Sequence, residues 1–109
     1  MLPKNERLTT AEFDTIIASG KVVRNETAHV KFLPSDSKKF AVAAPKKLIK
    51  TSVMRHFMKR RIYRSLQECK EVFPNGHYIV FVTKELAATP KDSFVKVLKS
   101  LALKVASYR

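Results

Sequence analysis

The chain has 109 residues, 45% of them apolar, and a formal net charge of +13 from 22 Lys and Arg against 9 Asp and Glu. That is the length of one domain with enough apolar residues for a core, and seven Phe and three Tyr exclude a disordered basic tail, which lacks such residues. No apolar stretch approaches the 18 or so residues of a membrane span, and a lone cysteine, Cys69, excludes an intramolecular disulfide and fits a reducing cytoplasm.

Leu2 to Leu8 reads as an irregular arm. It has no apolar run of the secretory-signal kind, and Pro3 disfavours helix at Leu2. Thr9 stands three residues before Glu12, the spacing of a capping box. Phe13, Ile16 and Ile17 follow as one apolar stripe, so a helix starts at Thr9 or Thr10. Gly20 ends it as the residue just past the last turn. Lys21 to Leu33 alternates loosely around Val22, Val23, Val30 and Phe32. It reads as one bent strand or two short pieces, with Asn25-Glu26 as an irregularity. Pro34 to Ser37 is a turn cluster. Phe40 to Ala44 is a short apolar strand of the kind covered on both faces, and Pro45 ends it.

Lys46 to Thr51 is a basic linker. Thr51 or Ser52 caps the next helix, over about residues 52–71. Met54, Met58, Ile62, Leu66 and Cys69 form its buried row, with His56, Arg60, Arg64 and Gln67 opposite. Pro74-Asn75-Gly76 is a second turn. His77 to Thr83 is β-branched, aromatic and nearly continuous in apolar character, so it is central in a sheet. Thr89-Pro90 opens the last helix, with Phe94, Val97, Leu98, Leu101, Leu103 and Val105 as its apolar positions. The order predicts an α+β sandwich, residues 1–109 forming a single domain with one sheet packed against about three helices.

No nucleophile–base pair is visible. His29, His56 and His77 are scattered without metal-ligand spacing. Cys69 falls on an apolar helix row, where an inert thiol is expected. Two glycines in the chain cannot build a phosphate loop. The basic run is the distinctive feature. Lys46, Lys47, Lys50, Arg55, Lys59, Arg60, Arg61 and Arg64 fall where no Asp or Glu occurs between Asp36 and Glu68. Like charges this dense repel one another unless an anion neutralises them. A solvated helix face is the plain alternative, but such faces carry acids three or four residues from their bases, and here none occurs until Glu68. Arginine adds bidentate phosphate contacts, and Lys46, Lys47 and Lys50 precede a helix N-terminus that itself favours phosphate. The run therefore predicts nucleic-acid binding. Among the aromatic residues, Phe13 and Phe32 are the candidates for stacking on unpaired bases; Phe40, Tyr78 and Phe81 read as core.

The segment PKKLIKTSVMRHFMKRRIYR resembles the signature of the bacterial ribonuclease P protein subunit. That family carries a Lys-Lys pair after a short apolar strand, then Arg-Asn-Arg, an apolar residue, Lys-Arg and a further Arg. Lys46-Lys47 match the pair, Arg55 the first Arg, Met58 the apolar spacer, Lys59-Arg60 the Lys-Arg, and Arg64 the last. Arg7-Leu8, Phe13 and Gly20-Lys21 match the family's opening. His56 replaces the family's Asn and can still donate a hydrogen bond. Phe57 replaces its second Arg and cannot pair with phosphate, and Ile17 stands where the family often has an aromatic residue.

The resemblance implies a non-catalytic cofactor of a ribozyme that removes the 5′ leader from precursor tRNA. The RNA subunit would hold the Mg²⁺ ions and perform the hydrolysis. The basic helix and its linker, including His56, would dock on the catalytic RNA. A cleft lined by Phe13, Ile17 and Phe32 would hold the leader. The partners would be ribonuclease P RNA and precursor tRNA, with no membrane. The resemblance also implies a left-handed β-α-β crossover through the basic helix. A generic RNA-binding module, such as a ribosomal protein or RNA chaperone, explains the charge equally well but not the matching N-terminal helix. A protein-only nuclease needs clustered acids for metal ions, and the acids here are dispersed. A DNA-binding domain would show a paired helix-turn-helix pattern, which is missing.

Overall fold

The structure, a computed structural model, describes residues 6–108. Most of the expected N-terminal arm, Pro3 included, lies outside the described residues. The order is α1 (Thr10–Ser19), β1 (Lys21–Arg24), β2 (His29–Pro34), β3 (Lys38–Ala43), α2 (Ser52–Cys69), β4 (Gly76–Phe81), α3 (Lys84–Ala88) and α4 (Phe94–Tyr108), with single 3₁₀ turns at Lys70–Val72 and Lys91–Ser93.

Local chemistry sets the starts and stops. Thr9 caps α1, and Glu12 reaches back to the Thr9 N–H at 2.8 Å, completing the expected capping box. Gly20 caps the other end in extended backbone, not in the left-handed conformation usual past a helix. Glycine is required there by space: a Cβ would lie 2.5 Å from the Ile16 carbonyl oxygen. The irregularity at Asn25 is a turn between two strands. Its side-chain oxygen accepts from the N–H groups of Thr27 at 2.9 Å and Ala28 at 2.8 Å, an Asx-type turn.

The four strands lie in the order β1-β2-β4-β3. β1 and β4 each run antiparallel to β2, and β3 runs parallel to β4, joined to it through α2. The expected central strand, β4, is indeed interior. At the β3 edge, Leu8 donates to the Phe40 carbonyl at 3.2 Å. The Val42 N–H on that edge donates to the Tyr63 hydroxyl of α2 at 3.2 Å, tying the basic helix to the sheet.

Register divides the sheet into two faces. Val23, Val30, Phe32, Tyr78, Val80, Phe40 and Val42 point to one side and are buried under α2 and α4. Tyr78 stacks on Phe40 with centroids 5.3 Å apart, and Phe73 meets it edge-on at 5.1 Å. Such pairs add about 0.5–1.5 kcal/mol each beyond area burial. The other side carries His29, Lys31, Leu33, Ile79, Phe81 and Ala41, and α1 packs over it, burying Ile16 and Ile79.

Three expectations are corrected. Met54 is 49% exposed and Leu103 63%: Met54 stands a full turn before Met58, the first buried residue of α2, and Leu103 falls on the side of α4 opposite Phe94, Leu98, Leu101 and Val105. The buried row of α2 is Met58, Ile62, Ser65, Leu66 and Cys69. A short helix, α3, precedes Thr89-Pro90; Thr83 caps it by accepting from Leu86 N–H at 3.0 Å, and Leu86 anchors it in the core.

Candidate nucleic-acid interface

The basic run occupies the turn before α2 and the outer side of α2. Thr51 caps the helix, its hydroxyl accepting from Met54 N–H at 3.2 Å. Lys46, Lys47, Lys50, His56, Arg60 and Arg64 are exposed, while Lys59 and Arg61 are half-buried. Arg55 also reaches back to the linker. Its Nη1 donates to the carbonyls of Ile49 at 2.9 Å and Lys50 at 3.1 Å. One guanidinium nitrogen thus holds the linker that presents the three lysines.

Among the described residues the ion pairs are Lys39–Glu12 at 3.0 Å, Lys70–Glu6 and a His77–Glu12 contact at 3.8 Å. None involves residues 46–64. Arg64 and Glu68, which the i, i+4 spacing would let pair, form no ion pair. Arg60 and Arg64 are therefore like charges one turn apart, a mildly destabilising arrangement in the isolated protein. An external anion removes that penalty.

The second face of the sheet, beside α1, is where the expected leader-binding trough would lie. Phe13 is half-buried and Ile17 is 41% exposed. Lys39 binds Glu12, and Lys31 donates to the Ile17 carbonyl at 2.6 Å, so two lysines of the sheet hold α1 in place. The Glu12 carboxyl is lowered to about 2, first by the Thr9 N–H and then by the Lys39 ammonium. Beyond α1, His29 stacks on Phe81 with centroids 4.8 Å apart. Burial, and then the Arg24 charge, lowers the His29 pKa from its ordinary 6.5, which keeps the ring neutral near pH 7.

Phe32 is not part of this trough. It is 1% exposed and stacks on Tyr78 on the opposite face of the sheet, so it cannot reach a base without opening the core. Phe81 and His29, which the sequence did not single out for binding, occupy the side where Phe32 was expected. Their odd register with Ile79 puts them there.

The described residues offer little for covalent chemistry. Burial pushes the Cys69 thiol up to about 11, so it is not a nucleophile at neutral pH. No group of three or more His, Cys, Asp or Glu among the described residues could hold a metal ion. No helix among them is long and apolar enough to cross a membrane.

Comparison with known proteins accords with this division between binding and chemistry. The chain is 27% identical over 89 residues to the ribonuclease P protein component of Coprothermobacter proteolyticus, covering 82% of this chain and 74% of that one. The fold superposes on the Staphylococcus aureus RNase P protein with a TM-score of 0.77 at 23% identity, over 94% of this chain and 96% of that one. It superposes on the Thermotoga maritima RNase P protein with a TM-score of 0.76 at 23% identity, over 89% and 94%. The model of the Ribonuclease P family matches residues 2–106, nearly the whole chain. With the family model matched over nearly its whole length, this chain belongs to the ribonuclease P protein family, as the non-catalytic subunit of a ribonucleoprotein endonuclease whose partners are ribonuclease P RNA and precursor tRNA.

Proposed function

We propose that the two sides of the sheet serve two RNAs. The outer side of α2 and the turn before it (Lys46, Lys47, Lys50, His56, Lys59, Arg60, Arg61 and Arg64) dock on the catalytic RNA, with Arg55 holding the turn. The trough beside α1, with Phe13 and Ile17, holds the single-stranded 5′ leader, and His29 and Phe81 extend its stacking surface. The observation that carries the reading is the stretch from Lys46 to Arg64, in which no base pairs with a carboxylate among the described residues.

The physics follows from charge. Enzyme RNA and substrate RNA repel each other, and a cation of +13 between them lowers that repulsion. Rings on the second face stack on leader bases, a contact worth about 1–3 kcal/mol per base. Mg²⁺ held by the RNA supplies the Lewis acid and activated water for hydrolysis. The protein positions the leader and relaxes the demand for that ion. The chain acts as one RNA-binding domain, residues 1–109, in the cytoplasm.

Reconstitution tests the reading. Added to a bacterial ribonuclease P RNA at low Mg²⁺, the protein stimulates cleavage of precursor tRNA. RNA binding without stimulation would leave only a generic RNA-binding module, and cleavage by the protein alone would point to a protein nuclease.

A further inference from the structure

A groove of about 550 Å³ runs between the outer side of α2 and the segment that opens α4. It is within the size range of small-ligand sites. On the α2 side stand Phe57, Arg60, Arg61, Arg64 and Glu68, and Asp92 contributes to the far side. The Arg61 guanidinium lies over the Phe57 ring, 4.1 Å from its centroid. Phe57 remains 44% exposed. Arg60 and Arg64 have no ion-pair partner among the described residues.

A surface that merely neutralised a duplex backbone would need cations alone. Here the cations share a groove with an exposed ring, at the position where the related signature has arginine. An aromatic ring braced by a guanidinium is a platform for an unstacked base, since bases stack on both aromatic rings and arginine planes. The carboxylates of Glu68 and Asp92 repel phosphate, so a nucleotide entering the groove keeps its phosphates on Arg60 and Arg64. Its base then faces the ring and the acids, which can accept from its edge N–H groups.

Resting on the assignment of α2 to the catalytic RNA, we infer that the groove formed by Phe57, Arg60, Arg61 and Arg64 captures one unpaired nucleotide of that RNA, its base stacked on Phe57. In this chain, shape-selective stacking replaces the charge lost at position 57.

The native sequence has no tryptophan, so Phe57→Trp places a single fluorophore at the platform in the full chain. Its emission is quenched by ribonuclease P RNA and by unpaired RNA, and not by a blunt, fully paired RNA duplex at equal phosphate concentration. In parallel, Phe57→Leu weakens binding to ribonuclease P RNA about 5-fold or more, from the lost stacking, with the salt slope unchanged because no phosphate contact is removed. Phe57→Tyr restores the affinity. Equal quenching by duplex, absence of quenching by ribonuclease P RNA, or affinity unaltered in Phe57→Leu would each overturn the inference. Charge reversal at Arg60 and Arg64 separates the two ideas. If it weakens binding while Phe57→Leu does not, the docking surface stands and the nucleotide platform falls. If neither has an effect, both fall.

Discussion

The double substitution Arg60→Glu, Arg64→Glu probes the docking surface at its exposed centre. Both arginines are exposed and pair with no carboxylate among the described residues, so their loss breaks no ion pair of the fold. Surface changes of this kind shift stability by about 0.5 kcal/mol or less, since the Arg–Arg repulsion is exchanged for a Glu–Glu one at the same spacing. The binding effect is larger. Each phosphate contact contributes about 0.9 to the slope of log affinity against log salt on a duplex. Two lost contacts lower the slope by about 1.8, which amounts to a loss of about 30-fold at about 0.15 M salt and about 200-fold at about 0.05 M. Repulsion from the new carboxylates adds to both. Filter binding or fluorescence anisotropy with ribonuclease P RNA over a salt series reads affinity and slope together, with a thermal melt as the check on folding. A folded variant whose affinity and slope both match wild type would refute the reasoning, because the helix would then face solvent in the complex.

Phe13→Ala removes a ring from the trough beside α1. It weakens binding of leader-bearing precursor tRNA to the reconstituted enzyme by about 5-fold or more, and leaves mature tRNA unaffected; equal losses for both would remove the trough assignment. The His29 pKa is depressed in the fold, so below its ordinary 6.5 the unfolded chain binds the extra proton first and stability falls with pH. The contribution is complete above 6.5 and is lost as pH falls from there towards the folded-state value. Urea melts at descending pH show a shallower decline for His29→Asn than for wild type; parallel declines would contradict the placement of that ring. Glu12 works in a lower window. Its carboxyl, held at about 2 against an ordinary 4.5, contributes stability that is present above 4.5 and lost as pH falls towards 2, and Glu12→Gln removes that part of the acid unfolding curve.

Features encoded within a few residues were legible in the sequence. The Thr9–Glu12 capping box and the cap of α2, which falls on Thr51 of the two residues expected, rest on side chains meeting nearby backbone, and both are present; Asn25 was legible only as an irregularity, which is a turn. The central place of β4 was legible from its apolar content. What the sequence hid depends on register and reach. The segment from His77 to Thr83 is apolar on both parities, so nothing in it shows that Tyr78 faces the core while Phe81 faces the trough. The pairing of Phe32 with Tyr78 and His29 with Phe81 decides this, and it reverses the roles expected for Phe32 and Phe81. Met54 is exposed because it precedes the first buried turn of α2, and Leu103 because it is about half a turn off the buried side of α4. The hold of Arg55 on the linker was not legible, because its acceptors, the carbonyls of Ile49 and Lys50, are brought within reach by the fold of the linker. The α3 segment is five residues long, too short for a helical period to register.

In the proposed arrangement opposite sides of one sheet address different RNAs, and a tethered cleavage reagent reports which RNA each side meets. Cys69 is buried and its thiol is pushed up to about 11, so an iron chelate attaches selectively to a cysteine introduced at Arg64 or at Ile17. In the reconstituted complex with precursor tRNA, the chelate at position 64 cuts the ribonuclease P RNA and the chelate at position 17 cuts the leader. Cuts confined to one RNA from both positions, or an exchange of the two targets, would contradict the account.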